Sequence, residues 1–337
     1  MKKVRIGING MGRIGRTILR EWYSHKRDCF DLVAVNNPGN ISTYAHLLKY
    51  DSLHGTFKAE VKVDGSALIV DQTKINFYTS MDPTEIPWDK DQVDIVIDCT
   101  GRFKDKPGLG KHMKGSVKKV IMCAPGKDLD GTFVMGINHN NYDPSKHNII
   151  SNASCTTNCL APLVKVLDEK FGIENGFMTT IHAYTSDQNL LDGSHDDLRR
   201  ARAAAVSMIP TSTGAAKALG EVIPAMKGKL DGYAVRVPTS DVSMVDFTVT
   251  LKNKTTKEEI NKAMKEAAET YLKGVLGYTD LELVSNDFRG NPNSSIFDSK
   301  LTNVIGGNVA KVVSWYDNEV GFSSRVIDLA KFVGDKF

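Results

Sequence analysis

The run Val4-Arg5-Ile6-Gly7-Ile8-Asn9-Gly10-Met11-Gly12-Arg13-Ile14-Gly15 restricts the fold of this chain more than any other stretch. Val4, Ile6 and Ile8 alternate as in a strand, Gly10, Gly12 and Gly15 make a G-x-G-x-x-G turn, and Ile14, Ile18, Leu19 and Trp22 then trace one face of a helix. The glycine spacing alone would also suit a plain tight turn. Set between a strand and a helix, it predicts the opening unit of a doubly wound α/β sheet, with backbone N–H groups able to approach a pyrophosphate at the helix N-terminus.

A second apolar run, Leu32-Val33-Ala34-Val35, ends at Asn36-Asn37, where such a fold places the group that reads the adenosine ribose. NAD sites present Asp or Glu there. The neutral amide of Asn37 instead tolerates a 2′-phosphate and can donate a hydrogen bond to it. Strands predicted over 93–99, 120–123 and 133–135 continue the alternation, and Thr100-Gly101 and Ala124-Pro125-Gly126 fall at strand ends, which line the cofactor crevice in an open parallel sheet.

Further on, Ser151-Asn152-Ala153-Ser154-Cys155-Thr156-Thr157-Asn158-Cys159 precedes Leu160, Leu163, Val164 and Leu167, spaced as one helical face. A helix is predicted to start near Cys155, capped by Ser154, Thr156 or Thr157, with its positive end beside the sulfur, a field that favours thiolate. Cys159, one turn further in, reads as a small core residue. The β-rich run 177–182 ends in His182, the expected acid–base partner for a reactive thiol. The long polar segment 183–214 carries Thr185, Asp187, Arg199, Arg200, Arg202, Thr211, Ser212 and Thr213, which fits either a solvated face or a phosphate site.

The remaining pattern is strand, helix, strand, helix. Val245, Phe247, Val249 and Leu251 alternate; Thr256 and Glu259 form a capping box before Ile260, Ala263, Met264 and Ala267; and a strand over 309–315 precedes a C-terminal helix bearing Val326, Ile327, Leu329, Ala330 and Val333. At 337 residues the chain is long enough for two domains. A net charge of +3, from 43 Lys and Arg against 40 Asp and Glu, makes nucleic acid an unsuitable main partner, and no run reaches the length of a membrane span. Five cysteines without a C-x-x-C pair argue against a disulfide framework and against a metal site, and point to a reducing, cytoplasmic compartment.

Together the residues resemble phosphorylating glyceraldehyde-3-phosphate dehydrogenase. The likeness rests on Gly7 to Arg16, Leu47-Leu48-Lys49-Tyr50-Asp51-Ser52, Ser151 to Cys159, Leu198 to Ala205 and Trp315 to Glu319. It implies a cofactor domain over 1–151 and 318–337 and a catalytic domain with a mixed or antiparallel sheet over 152–317. It also implies a homotetramer, a place in glycolysis or gluconeogenesis, and NAD or NADP as cofactor. By resemblance, Cys155 is the nucleophile and His182 its base. Thr185 and Arg236, supported by Asp187 and Arg200, take the substrate's C3 phosphate, and Ser154, Thr156, Thr213 and Gly214 take inorganic phosphate. Arg13 and Ile14 contact the pyrophosphate, Thr100 lines the crevice, and Asn318 holds the nicotinamide carboxamide.

The chain departs from the family pattern in four places. Asn37 stands where NAD-specific members usually have Asp. Gly193-Ser194 replaces Leu-Pro and resembles the Ala-Ser of NADP-using photosynthetic members, whose serine reaches the cofactor from a neighbouring subunit. Both departures favour use of NADP alongside NAD. Cys123 replaces a serine beside the nicotinamide, and Phe322 a common tyrosine. Two alternatives stand beside this reading. Erythrose-4-phosphate dehydrogenase shares the nucleophile motif, but Tyr184-Thr185 and Thr211 to Gly214 read as the triose enzyme. A catalytically silent nucleotide- or RNA-binding relative would have no use for Cys155, His182 and two phosphate sites.

Overall fold

A computed structural model describes residues 3–337 as two compact units. One holds residues 3–135, His139–Ala153 and Ser323–Phe337; the other holds Gly136–Asn138 and Ser154–Phe322.

In the first unit, nine strands among the described residues form one sheet, ordered Gly131–Thr132, Ile149–Ser151, Lys119–Met122, Ile95–Asp98, Arg5–Asn9, Asp31–Asn36, Thr73–Tyr78, Ala67–Val70 and Val61–Asp64. Pairing is parallel as far as Thr73–Tyr78 and antiparallel for the last two strands. Ile95–Asp98 and Lys119–Met122 are buried at every residue and mostly apolar, as burial on both faces requires, and their Val96, Val120 and Met122 pack in one core cluster with Trp88. Asn9 stands in register with Asn36 on one side and Asp98 on the other, so three strands end together where the glycine turn begins. The strand predicted over 133–135 is displaced: the ladder takes Gly131–Thr132 instead, and Phe133 and Val134 are buried without joining it. Their apolarity reflects burial rather than pairing, and Gly136 turns the chain at φ 81° just beyond them.

The second unit is built on a mixed sheet ordered Ile209–Ser212, Leu230–Val237, Ile173–Ala183, Ser243–Leu251, Val309–Tyr316, Ser295–Asp298 and Leu276–Thr279. Along Ser243–Leu251 every second residue is buried, the alternation of a sheet with one packed face. The helix Cys155–Phe171 buries Leu160, Leu163, Val164 and Leu167 completely, each worth about 1.5–3 kcal/mol of apolar transfer. The helix Lys257–Glu269 opens with both hydrogen bonds of the Thr256–Glu259 capping box. Parallel pairing of Ile173–Ala183 with Leu230–Val237 sets His182 directly beside Arg236.

Candidate active site

Cys155 is the first residue of its helix, partly exposed, behind Ser154, whose Oγ caps the helix by accepting from the Thr157 N–H at 3.0 Å. Its Sγ lies 3.5 Å from Nε2 of His182, the penultimate residue of the strand Ile173–Ala183. The histidine tautomer follows from its other nitrogen. Nδ1 lies 2.6 Å from the Ala183 carbonyl and 3.2 Å from Arg236 Nη1; the carbonyl can only accept, and the shorter contact assigns the proton to Nδ1, leaving the Nε2 lone pair toward the sulfur. Burial, followed by the Arg236 charge, pushes the His182 pKa down to about 3, and the ring is neutral at physiological pH.

The sulfur does not behave as the helix field alone would predict. Burial pushes the Cys155 thiol up, and the opposing pull of the Arg236 guanidinium, the Thr156 hydroxyl and the first-turn N–H groups does not offset it. Burial thus favours the thiol over the thiolate in this arrangement, beside a neutral imidazole. Cys159, fully buried one turn on, is pushed up to about 12 by the same desolvation, with Ser295 Oγ and the Ser314 carbonyl as its only close polar neighbours among the described contacts.

Around the pair stands a cationic cluster. Arg236 Nη1 donates to Thr185 Oγ1 at 3.2 Å, while its Nε is buried without a hydrogen-bond partner. Arg200 reaches Asp187 Oδ2 at 2.6 Å, Thr211 Oγ1 at 2.8 Å and the Ser212 carbonyl at 3.0 Å. The Arg236 pKa is lowered by burial and then by the Arg200 charge, two cations held close together. Burial works against the Asp187 carboxylate, but the Arg200 hydrogen bond and charge hold it below its usual range. An orphaned guanidinium N–H beside a second arginine is an arrangement that an anion would complete.

Three features of this unit were not legible in the sequence. Tyr316 is fully buried and its hydroxyl bridges Thr156 Oγ1 and Thr180 Oγ1, each at 2.9 Å, so the Thr156 hydroxyl is directed at that bridge. Ser243 Oγ accepts from the Ala183 N–H at 3.0 Å and donates to Asn318 Oδ1 at 2.7 Å, tying the end of the histidine strand to Asn318. Val242, just before it, is held at φ 65°, a conformation that a β-branched residue rarely adopts. Thr213 Oγ1 accepts from the Ala215 N–H, with Gly214 as the cap residue of the helix Ala215–Val222. Ser194 is exposed, and its carbonyl accepts from Asn189 Nδ2 at 3.3 Å.

In the first unit, the helix Arg13–His25 begins at Gly12 with no side-chain cap and no acidic residue in its first turn. Gly10 sits at φ 99°, and a Cβ on Gly15 would lie 1.9 Å from the Gly10 carbonyl oxygen, so both positions demand glycine. A Cβ on Gly12 would meet nothing within 4 Å, which leaves open space before the helix end. These features fit a dinucleotide pyrophosphate. The Arg13 side chain is engaged with Asp51 in a two-pronged ion pair of 2.6 and 3.2 Å. Asn37 Oδ1 accepts from the Met11 N–H at 2.8 Å, and Nδ2 donates to the Pro38 carbonyl and the Tyr44 hydroxyl. Its amide hydrogens are thus already engaged, and what the position offers a 2′-phosphate is the lack of negative charge. Thr100 binds Asp98 Oδ1 through both N–H and hydroxyl. Cys123 Sγ lies 3.4 Å from that of Cys99.

The family described as the NAD binding domain of glyceraldehyde 3-phosphate dehydrogenase matches residues 4–106, and that described as its C-terminal domain matches residues 154–318. The chain is 53% identical over 335 residues to glyceraldehyde-3-phosphate dehydrogenase 2 of Nostoc sp., covering 99% of both chains. It is 54% identical over 332 residues to glyceraldehyde-3-phosphate dehydrogenase 1 of Bacillus cereus, covering 98% of this chain and 99% of that one. With the chloroplastic glyceraldehyde-3-phosphate dehydrogenase A of Chlamydomonas reinhardtii it shares 53% over 338 residues, covering all of this chain and 90% of the other. Matches over both domains and nearly the full length place this chain in the phosphorylating glyceraldehyde-3-phosphate dehydrogenase family of NAD(P)-dependent oxidoreductases.

Proposed function

We propose that Cys155 and His182 carry out the phosphorylating oxidation of glyceraldehyde 3-phosphate through a thioester on Cys155. The observation that carries this reading is the 3.5 Å approach of Sγ to an Nε2 whose lone pair the Ala183 carbonyl has aimed at it. The sulfur adds to the aldehyde carbon while its proton passes by way of His182 to the carbonyl oxygen, giving a hemithioacetal. His182 then takes the hydroxyl proton, and the carbon oxygen double bond re-forms as a thioester. When bound, the nicotinamide supplies the acceptor for the hydride that this carbon loses. Inorganic phosphate attacks the thioester, the thiolate leaves, and the imidazolium returns its proton to sulfur, releasing 1,3-bisphosphoglycerate.

In this reading, Arg236 and Thr185, braced by Arg200 and Asp187, hold the C3 phosphate, and the orphaned Arg236 Nε supports it. Ser154, Thr156, Thr213 and Gly214 hold the attacking phosphate. The first unit serves as the dinucleotide-binding domain and the second as the catalytic domain. Gly10, Gly12, Gly15, Arg13 and Ile14 would receive the pyrophosphate, and Thr100 and Cys123 would line the crevice. Asn318, whose oxygen is engaged by Ser243, would offer its NH₂ to the carboxamide.

The uncharged Asn37, which removes a carboxylate's repulsion, and the small pair Gly193-Ser194, whose serine would supply a hydrogen bond to the 2′-phosphate, support acceptance of NADP alongside NAD, a shift of roughly 2–4 kcal/mol. A homotetramer is supported by Leu190, Leu191, Leu198, Val206 and Met208, which lie 74% to 83% exposed in one segment. Among the described residues no helix is long and apolar enough to cross a membrane, and free thiols suit the cytoplasm. Steady-state assay of glyceraldehyde 3-phosphate oxidation, with each cofactor and with phosphate present or omitted, tests the proposal. Phosphate-dependent reduction of both cofactors is expected. A kcat/KM for NADP a hundredfold below that for NAD would remove the dual-cofactor claim, and turnover indifferent to phosphate would remove the phosphorolysis step.

A further inference from the structure

Cys99 and Cys123 occupy the same level at the ends of two neighbouring parallel strands. Asp98 and Met122 are the last register partners of Ile95–Asp98 and Lys119–Met122, and each cysteine follows one of them. The ladder continues through the Cys123 N–H, which donates to the Asp98 carbonyl at 2.9 Å. Neighbouring strands run about 4.8 Å apart, inside the roughly 4.4–6.8 Å of Cα separation that a disulfide spans. The two sulfurs are already 3.4 Å apart, with Cys99 S–H donating to Cys123, and both residues are partly exposed. Closing to a disulfide would draw the sulfurs together by roughly 1.3 Å, within reach of a side-chain rotation.

We propose that Cys99 and Cys123 form a redox-active dithiol, oxidised to a disulfide by hydroperoxides and reopened by dithiol reductants, and that closure weakens dinucleotide binding. The second half rests on the reading of the glycine turn as the pyrophosphate site. The Cys99 N–H donates to the Asn9 carbonyl at 2.7 Å, and a Cβ on Gly10 would lie 3.0 Å from Cys99 C and from Thr100 N. The turn is therefore packed directly on the Cys99–Thr100 backbone, and a pull on Cys99 is felt at Gly10. In the first step the Cys123 sulfur takes an oxygen from the peroxide, giving a sulfenic acid and one water. In the second, the Cys99 sulfur attacks it, and the Cys99 proton leaves with the hydroxyl as a second water. Reduction by a dithiol returns two electrons and two protons. The hydrogen bond to Cys123 and burial both push the Cys99 thiol up, so Cys99 takes the second step, attack on the neighbouring sulfenic acid, and not the first, attack on peroxide.

The experiment uses the full chain carrying Cys155→Ser, so that oxidation of the proposed nucleophile does not intervene. It is treated with hydrogen peroxide, alkylated and digested with trypsin. Expected is one linked species joining residues 91–102 to 120–127, lighter by two hydrogens than the sum of its parts and split by dithiothreitol. Adding Cys99→Ser should abolish it and leave Cys123 as a sulfenic acid trapped by dimedone. NAD titration of the reduced and oxidised forms should show Kd raised on the order of tenfold by closure, and restored by reductant. Both thiols remaining alkylatable, or Cys123 oxidising singly with Cys99 present, overturns the dithiol. Linkage with an unchanged Kd overturns its coupling to the cofactor, whereas failure of both forms to bind NAD would instead overturn the assignment of the glycine turn.

Discussion

The helices Arg13–His25 and Cys155–Phe171 present the same electrostatic end in two different ways. Neither has an acidic residue in its first turn, so each offers a bare positive terminus. At Gly12 the chain has removed every obstacle: no side-chain cap, and open space where a Cβ would stand. At Ser154 the chain has filled that end, with a hydroxyl cap on Thr157 and a sulfur on the first residue. The first arrangement suits an anion that arrives ready-made and must be approached by backbone. The second suits a charge that must be created there, and the terminus alone does not create it, because burial pushes the Cys155 thiol up. The imidazole 3.5 Å away supplies what the dipole lacks, a relay that passes the proton on to the carbonyl oxygen as the sulfur adds.

That contrast breaks most sharply at the sulfur. Cys155→Ser should lower kcat by roughly 10⁴-fold or more, because the hydroxyl is a far weaker nucleophile beside the same base. NAD affinity, which the other helix end governs, should stay within about threefold in a direct titration, smaller than one hydrogen bond's worth. A serine variant that still turns over at a tenth of the parent rate would leave the sulfur without a chemical role.

His182→Gln is the next largest effect. Loss of a positioned general base should cost about 10²- to 10⁴-fold in kcat. It should also change acid stability, with a definite sign. The folded imidazole titrates near 3 and an unfolded one near its ordinary 6.5, so between those values the unfolded chain binds a proton that the folded chain does not. Stability from this group is complete above about pH 6.5 and lost as pH falls toward 3. Glutamine does not titrate, so the variant's acid unfolding should become less steep across that window, which circular dichroism would record.

Both helix ends were legible before any coordinates, because each is a local pattern: glycines between a strand and a helix, and hydroxyls around a cysteine ahead of a 3.6-residue apolar period. What escaped was non-local. Tyr316 meets Thr156 across 160 residues, and Ser243 meets Asn318 across 75, and nothing in a short window announces either. The strands Val61–Asp64 and Thr73–Tyr78 escaped for another reason: Lys62, Asp64, Lys74 and Asn76 interrupt the apolar run, as suits the end of a sheet that continues antiparallel beyond its parallel part. The thiolate expected from the dipole was only half the balance, since sequence shows the field but not the burial opposing it. Ala153, held at φ 58° just before Ser154, and Val242 just before Ser243 show the same limit, since side chains that disfavour those conformations give no sign of them.

The smallest effects separate the two helix ends most cleanly. Ser154→Ala removes the only side-chain cap on its helix and should cost about 1 kcal/mol of stability, read as a lower midpoint in urea. Gly12→Ala should cost less than about 0.5 kcal/mol, because the backbone at φ −69° and ψ −160° accepts an L residue and the new methyl touches no protein atom. Yet that methyl occupies the approach to the amides, and dinucleotide Kd should rise about tenfold. The opposite pairing, with Gly12→Ala unfolding the protein and Ser154→Ala weakening NAD, would mean that the open end is only a turn and the filled end the true anion site.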